Sequence, residues 1–280
     1  MSNLVIAIFA YLIDKRYGEF SSIKHPVIYM GEMITYFEKR FYKDSILNGF
    51  LLVAFMLTSI SLISLLISLV LWFLGGFLDI IISSFIASMF IAHKMLSDSV
   101  KSVLSAKDKK YAISMLVSRD TKNMSQSDIY KASIETYAEN LSDGVVAPIF
   151  YLLFFGLPGM ILYKTVNTMD SMVGYRDKKY ENYGKVAAIL DDILNYIPAR
   201  ITAILIMYIS KQKSIFAFYK DGKKHDSPNA GHPITAMALA LGVKLGGDTY
   251  YFGKLKRKAH FGVGRAKITQ NDVKNALDLV

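Results

Sequence analysis

Apolar positions dominate two neighbouring stretches of the chain. From Ile46 to Leu74 the sequence reads "ILNGFLLVAFMLTSISLISLLISLVLWFL", without a single charge. A helix needs about 20 apolar residues to cross a bilayer. The serines inside this run do not count against it, because a helical Ser can bond back to its own backbone. After Gly75-Gly76 comes "LDIIISSFIASMFIAHKML", Leu78 to Leu96, apolar apart from Asp79 near one end and His93-Lys94 near the other. The pattern predicts a transmembrane hairpin, 46–74 and 78–96, turning at the two glycines. Three weaker apolar segments remain at 4–13, 145–163 and 197–209. The second has a proline near each end and two glycines, and the third carries Arg200. Each reads as a short span, a re-entrant segment or a helix buried against others. Broken or charged helices at membrane depth require cover from protein or a water-filled cavity.

The polar regions between these segments, 14–45, 97–144, 164–196 and 210–280, contain periodic apolar positions and read as folded. The expected fold is all-α: a polytopic integral membrane protein with cytoplasmic helical segments, one domain over 1–280. Orientation follows from the basic residues. Lys15, Arg16, Lys24, Lys39, Arg40 and Lys43 precede the hairpin, and Lys94, Lys101, Lys107, Lys109, Lys110 and Arg119 follow it. Its turn has no Lys or Arg, so both polar blocks are assigned to the cytoplasm. The 280-residue chain has 52% hydrophobic residues and a net charge of +10. That charge suits anionic headgroups and anionic substrates. The chain has no cysteine, which removes disulfides and thiolate metal sites.

Candidate chemistry sits in four polar stretches. Glu135, Glu139 and Asp143 recur every four residues, one stripe of a helix. Like charges at that spacing repel, and a cation such as Mg²⁺ would reverse the sign. A solvated acidic face beside Lys131 is the competing reading. In "DDILNYIPAR", Asp191 or Asp192 lies one turn from Asn195, and Pro198 starts or kinks the next helix before Arg200. Helix capping with a surface ion pair fits equally. "SRDT", Ser118 to Thr121, offers an Arg-Asp pair or an N-cap. In "HDSPNAGHPITAMALALGVKLGG", His225 to Gly247, a polar loop leads into an apolar helix expected to stop at Gly246-Gly247. Pro233 suits the first helical turn. Free amides there, with Ser227 and Asn229, would suit an anion at a helix N-terminus, and ordinary capping is the alternative. No G-x-x-x-x-G-K-[ST] and no G-x-G-x-x-G motif occurs. The basic "KLKRKAHFGVGR" near the C-terminus shows no groove-reading element, so no nucleic-acid partner is expected.

These stretches together resemble one family, the adenosylcobinamide-phosphate synthases of cobalamin biosynthesis, also called CobD/CbiB. The resemblance rests on "HPVIYMG" (25–31), "SRDT", "ETYAENLSDGVVAPIFY" (135–151), "GLPG" (156–159), "YKTVNTMDSMVGYRDKKYENYG" (163–184), "DDILNYIPAR" (191–200) and the 225–247 segment. It covers most of the chain, in order. Two departures stand out. Glu19 and Phe20 occupy positions where the family has Asp and Pro before its His-Pro. His232 stands where the family commonly has an aromatic. The first weakens any role for Asp14 or Glu19, and the second makes His232 a poor candidate for essential chemistry.

The resemblance implies an ATP-dependent ligase with Mg²⁺. Such an enzyme joins a carboxylate of adenosylcobyric acid to the amine of (R)-1-amino-2-propanol or its phosphate. It also implies a multi-pass protein of the cell membrane with its active site on the cytoplasmic side. A homo-oligomer is left open. A carboxylate must be activated before an amine attacks it, most simply as an acyl phosphate. On this basis Asp170, Arg176, Asp191 and Asp192 are the expected catalytic residues. Asn140, Lys164, Asn167, Ser171, Asn195, Arg200, Ser227 and Asn229 are expected to bind substrate or nucleotide, and Glu135, Glu139 and Asp143 metal. Asn167, Asp170 and Ser171 share one helical turn, beside Arg176 and Lys178. The competing classes are a transporter of an anionic or corrinoid solute, which broken helices also suit, and a non-catalytic membrane scaffold.

Overall fold

The computed structural model describes residues 2–20, 22–175, 177–251 and 253–280. Helices dominate, and the chain is an all-α, polytopic membrane protein. Among the described residues four helical stretches are long and apolar enough to cross a membrane: Ile46–Leu74, Gly76–Ser105, Gln126–Val173 and Lys185–Ile209.

Two compact units divide the chain. The first comprises 1–94 and 147–195. It holds α1 (Ser2–Tyr17), α2 (Pro26–Phe41), α3 (Ile46–Leu74), α4 (Gly76–Ser88), α8 (Ala147–Val173) and the first part of α9 (Lys185–Ile209). The bounds of α3 coincide with the uncharged run. Ser45 caps it by accepting the Asn48 amide, and Gly75 ends it at φ 61°. Gly49, Leu52, Val53, Met56, Ile60 and Ser64 form its buried stripe. Leu62, Leu65, Leu66, Trp72 and Phe73 lie outside that stripe and are exposed. An apolar surface of that extent is what a bilayer covers. Ser64 donates to the Ser61 carbonyl at 3.0 Å, so the hydroxyl is satisfied within the helix.

The second hairpin arm differs from expectation. The apolar run 78–96 is not one helix, since α4 ends at Ser88 and α5 (His93–Ser105) begins after a turn. Asp14 of α1 accepts the N–H groups of His93 at 3.0 Å and Lys94 at 3.2 Å, and so caps the new helix from 79 residues away. The 145–163 segment lies mostly inside α8, which kinks at Gly156 (φ 67°, ψ −168°) ahead of Pro158. The 197–209 segment is the second half of α9, with Pro198 inside the helix.

The second unit comprises 95–146 and 196–280. It contains most of α5, α6 (Lys109–Ser114), α7 (Gln126–Leu141), the end of α9, α10 (Phe218–Gly222), α11 (Gly231–Leu241) and α12 (Gln270–Leu279). A π-turn at Ser142–Val146 follows α7. Pro148 explains it: the ring lacks an N–H and crowds the carbonyl four residues earlier, which a wider turn relieves. Two short antiparallel ladders were not anticipated. Strand β1 (Leu245–Gly246) pairs with β4 (His260–Phe261), and β2 (Thr249–Tyr251) pairs with β3 (Lys254–Lys256). Consequently α11 does not run to Gly246-Gly247. It stops at Gly242, which adopts the left-handed conformation (φ 62°, ψ 38°) that ends helices.

Candidate functional site

Proline at position 198 removes the amide that would pair with the Leu194 carbonyl. Tyr151 repairs this, its hydroxyl donating to that carbonyl at 2.9 Å. At the other break, Asn3 donates to the Leu153 carbonyl at 3.3 Å. Both repairs follow the rule that backbone groups freed at membrane depth must find protein partners. The Tyr151 ring stacks on Tyr163, with centroids 4.9 Å apart and planes 9° from parallel.

From Tyr163 a directional chain of hydrogen bonds runs between α8 and α9. Tyr163 donates to Asn195 Oδ1 at 2.8 Å, and Asn195 Nδ2 donates to Asp191 Oδ2 at 2.9 Å. From the other side, Lys164 Nζ donates to Asn167 Oδ1 at 3.3 Å, and Asn167 Nδ2 donates to Asp191 Oδ1 at 3.3 Å. Every donor points toward Asp191, which is buried. Each carboxylate oxygen therefore receives an amide N–H, and the Lys164 ammonium is linked to it through Asn167. A buried carboxylate is costly without partners, and two amide donors with a polarising lysine offset part of that cost. The arrangement fixes a negative group in one orientation, with a cation linked to it through Asn167.

Four of the sequence-predicted residues, Lys164, Asn167, Asp191 and Asn195, thus meet in one network. Asp192, next to Asp191, is half-buried. Asp170 is also half-buried, and its Oδ1 lies so near Gly174 that a Cβ there would sit 2.0 Å away. Ser171 is exposed and bonds back to the Asn167 carbonyl at 2.8 Å. Arg176 lies outside the described residues. Tyr151 and Tyr163 were missed. Pro198 inside a helix signals that the carbonyl of residue 194 needs a donor, but not that Tyr151 supplies it.

In the second unit Arg200, Ser227 and Asn229 come together. Arg200 donates to Asn229 Oδ1 and to the Pro228 carbonyl, both at 3.3 Å, and stacks on Tyr196 at 3.5 Å. The loop amides expected to be free are taken: Ser227 Oγ accepts from both Asn229 N and Ala230 N at 3.2 Å. His225 Nδ1 in turn accepts the Ser227 amide at 3.0 Å. Burial, with Lys258 nearby, holds the His225 imidazole below its usual range, so it stays neutral. His232 is buried and stacked on Tyr219 at 5.3 Å, a packing position.

The acidic stripe has a different environment from a solvated face at its first member. Glu135 is buried and pairs with Arg119 at 2.7 Å, while its other oxygen accepts the Gly246 amide at 2.7 Å. Arg119 therefore pairs with Glu135, not with Asp120 of the same motif. Asp120 accepts the Gly253 amide at 2.7 Å. Glu139 and Asp143 are half-buried, and Asp143 already lies in the π-turn. Asn140 is exposed and bonds back to the Thr136 carbonyl at 2.9 Å. Among the described residues no group of three His, Asp or Glu side chains is gathered to hold a metal ion.

A family model described as CobD/Cbib protein matches residues 7–280. Among curated proteins, the probable cobalamin biosynthesis protein CobD of Pyrococcus furiosus is 38% identical, over 92% of this chain and 90% of that protein. The cobalamin biosynthesis protein CobD of Clostridium perfringens is 37% identical, over 96% of this chain and 91% of its own. The corresponding protein of Halalkalibacterium halodurans is 34% identical, over 99% and 92%. No solved structure matches the chain at a significant level. With the family's motifs spread along nearly the whole sequence and the membrane helices that carry them in place, the chain belongs to the CobD/CbiB family.

Proposed function

We propose that the protein acts in cobalamin biosynthesis as an ATP-dependent amide ligase of the cell membrane. It joins adenosylcobyric acid to (R)-1-amino-2-propanol or its phosphate. The observation that carries the reading is the Asp191 network, where Lys164, Asn167 and Asn195, from two family-like motifs, converge on one buried carboxylate. In the reaction a substrate carboxylate oxygen attacks the γ-phosphorus of ATP, and ADP leaves. The amine then attacks the acyl carbon, loses a proton, and expels phosphate. In this reading Asp191 orients the incoming ammonium or accepts its proton. Lys164 supplies positive charge near developing negative charge. Asp170, Asp192 and Arg176 complete the proposed catalytic set. The active site is assigned to the cytoplasmic side, where ATP is available.

Mg²⁺ enters this reading as the counter-ion of the nucleotide. Glu135 is buried in an ion pair with Arg119, and among the described residues no three His, Asp or Glu side chains gather, so the stripe does not fit a resident ion held by three carboxylates. A transport reading draws on the breaks at Gly156 and Pro198, which transporters also use. One experiment separates the two. Purified protein is incubated with adenosylcobyric acid, ATP, Mg²⁺ and each amine, and products are followed by mass spectrometry. The amide should appear only with ATP. Its absence with both amines would reject the ligase.

A further inference from the structure

The second unit contains a cavity of about 710 Å³ that none of the residues assigned above lines. Three separate stretches build its walls: the loop from Arg119 to Met124, the first turns of α7 at Asp128 and Lys131, and the segment from Gly246 to Tyr250 with Gly253. That volume lies within the range of small-molecule and cofactor sites.

Its charged groups are not equivalent. Each carboxylate already serves the backbone. Asp120 accepts the Gly253 amide at 2.7 Å, Asp248 accepts the Lys258 amide at 3.2 Å, and Asp128 forms the capping box with Ser125. Two of the cations are ion-paired, Arg119 with Glu135 and Lys131 with Asp128. Arg119 spends one terminal nitrogen on Glu135, which is itself anchored by the Gly246 amide. This fixes the guanidinium in one orientation, and its other N–H groups carry no hydrogen bond among the described residues. The Lys122 ammonium has no partner among the described residues, and Lys131 stands 3.6 Å from Asp128. Tyr250, another lining residue, is half exposed (51%). Gly247 and Gly253 leave the hairpin wall without side chains. The α7 N-terminus contributes nothing extra, because Ser125 and Asp128 already cap it.

We propose that this cavity binds a nucleoside polyphosphate, with Arg119, Lys122 and Lys131 on the phosphates and Tyr250 against the base. A pre-oriented guanidinium and two ammonium groups match phosphate oxygens, and an exposed aromatic face stacks on any base. The proposal deepens the ATP-dependent reading above and rests on it, and it joins Arg119 of the Ser118–Thr121 motif to Lys122, Lys131 and Tyr250, which had no assigned role.

Nucleotide binding to the purified full-length protein tests it, with trinitrophenyl-ATP as the fluorescent probe and Mg²⁺ present. Lys122→Glu and Tyr250→Ala alter exposed side chains, and thermal unfolding checks that each variant folds. Lys122→Glu should weaken binding about 10- to 100-fold, as loss of a charge-assisted contact does. Tyr250→Ala should also weaken it. Photolabelling of the unmodified protein with 8-azido-ATP should mark peptides within 118–131 or 246–258. Wild-type affinity in both variants, or labelling confined elsewhere, overturns the site while leaving ATP dependence intact. Absence of nucleotide binding by the wild-type protein overturns the ATP-dependent reading as well. Inorganic phosphate competing as well as ATP would remove the nucleoside from the proposal.

Discussion

Tyr163, Asn195 and Asp191 show how a single hydroxyl sets a carboxylate's surroundings. The tyrosine holds Asn195 by its carbonyl oxygen, so the amide N–H of that residue must face Asp191. Tyr163→Phe removes the donor and leaves a buried acceptor unsatisfied, a cost of about 1–3 kcal/mol. Thermal unfolding in detergent should show that loss, and an unchanged melting temperature would mean that Asn195 finds another donor. The chemistry is tested separately. Asp191→Asn keeps the shape and removes the charge, so kcat should fall about 100- to 1000-fold with little change in corrinoid affinity. Asp170→Asn should behave in the same way if both carboxylates act on the reacting groups. A kcat within about threefold of wild type in both, far short of that expected loss, would leave the cluster a structural one. The sequence made Asp191, Asn195, Asn167 and Lys164 legible through their family motifs. It did not disclose Tyr151 and Tyr163, because an aromatic in an apolar run reads as core. The role emerges only when the helix partner is known.

Elements were legible where their cause is local. The 46–74 helix was readable residue by residue, since its caps, length and uncharged interior all belong to one stretch. The break between α4 and α5 was not, because apolar composition continues through it and the cap, Asp14, lies 79 residues upstream. The short ladders after α11 were hidden for a similar reason: their register depends on pairing between β1 and β4, not on a run of strand-forming residues. The entry to α11 offers a test by pH. Neutral His225 accepts the Ser227 amide, and burial lowers its pKa from the ordinary 6.5. A histidine with a lowered folded pKa contributes stability above its unfolded value, and protonation removes that contribution as pH falls. Amides of 226–231 should therefore exchange faster, after correction for intrinsic rates, as pH drops below about 6.5. Substituting His225→Gln should abolish the pH dependence; a retained dependence would point to another group.

For the whole molecule, orientation and activity are the open quantities that experiment reaches directly. Basic residues flank α3 and the α4–α5 segment, and the turn between α3 and α4 carries none. Cysteine scanning is clean because the native chain has no cysteine. A cysteine at Ser102 should stay unlabelled by an impermeant reagent in intact cells and label after lysis, as the positive-inside rule requires. Labelling in intact cells would invert the topology and remove the cytoplasmic assignment of the site. The amide-forming claim has the most direct measurement. Adenosylcobyric acid carrying ¹⁸O in its free carboxylate is turned over by the reconstituted protein with ATP, Mg²⁺ and the amine. Activation as an acyl phosphate transfers one carboxylate oxygen to the phosphate that leaves. Labelled inorganic phosphate should appear in step with amide product. Amide without label in phosphate would contradict the activation step, and labelled corrinoid recovered unchanged, with no amide formed, would contradict the ligase itself.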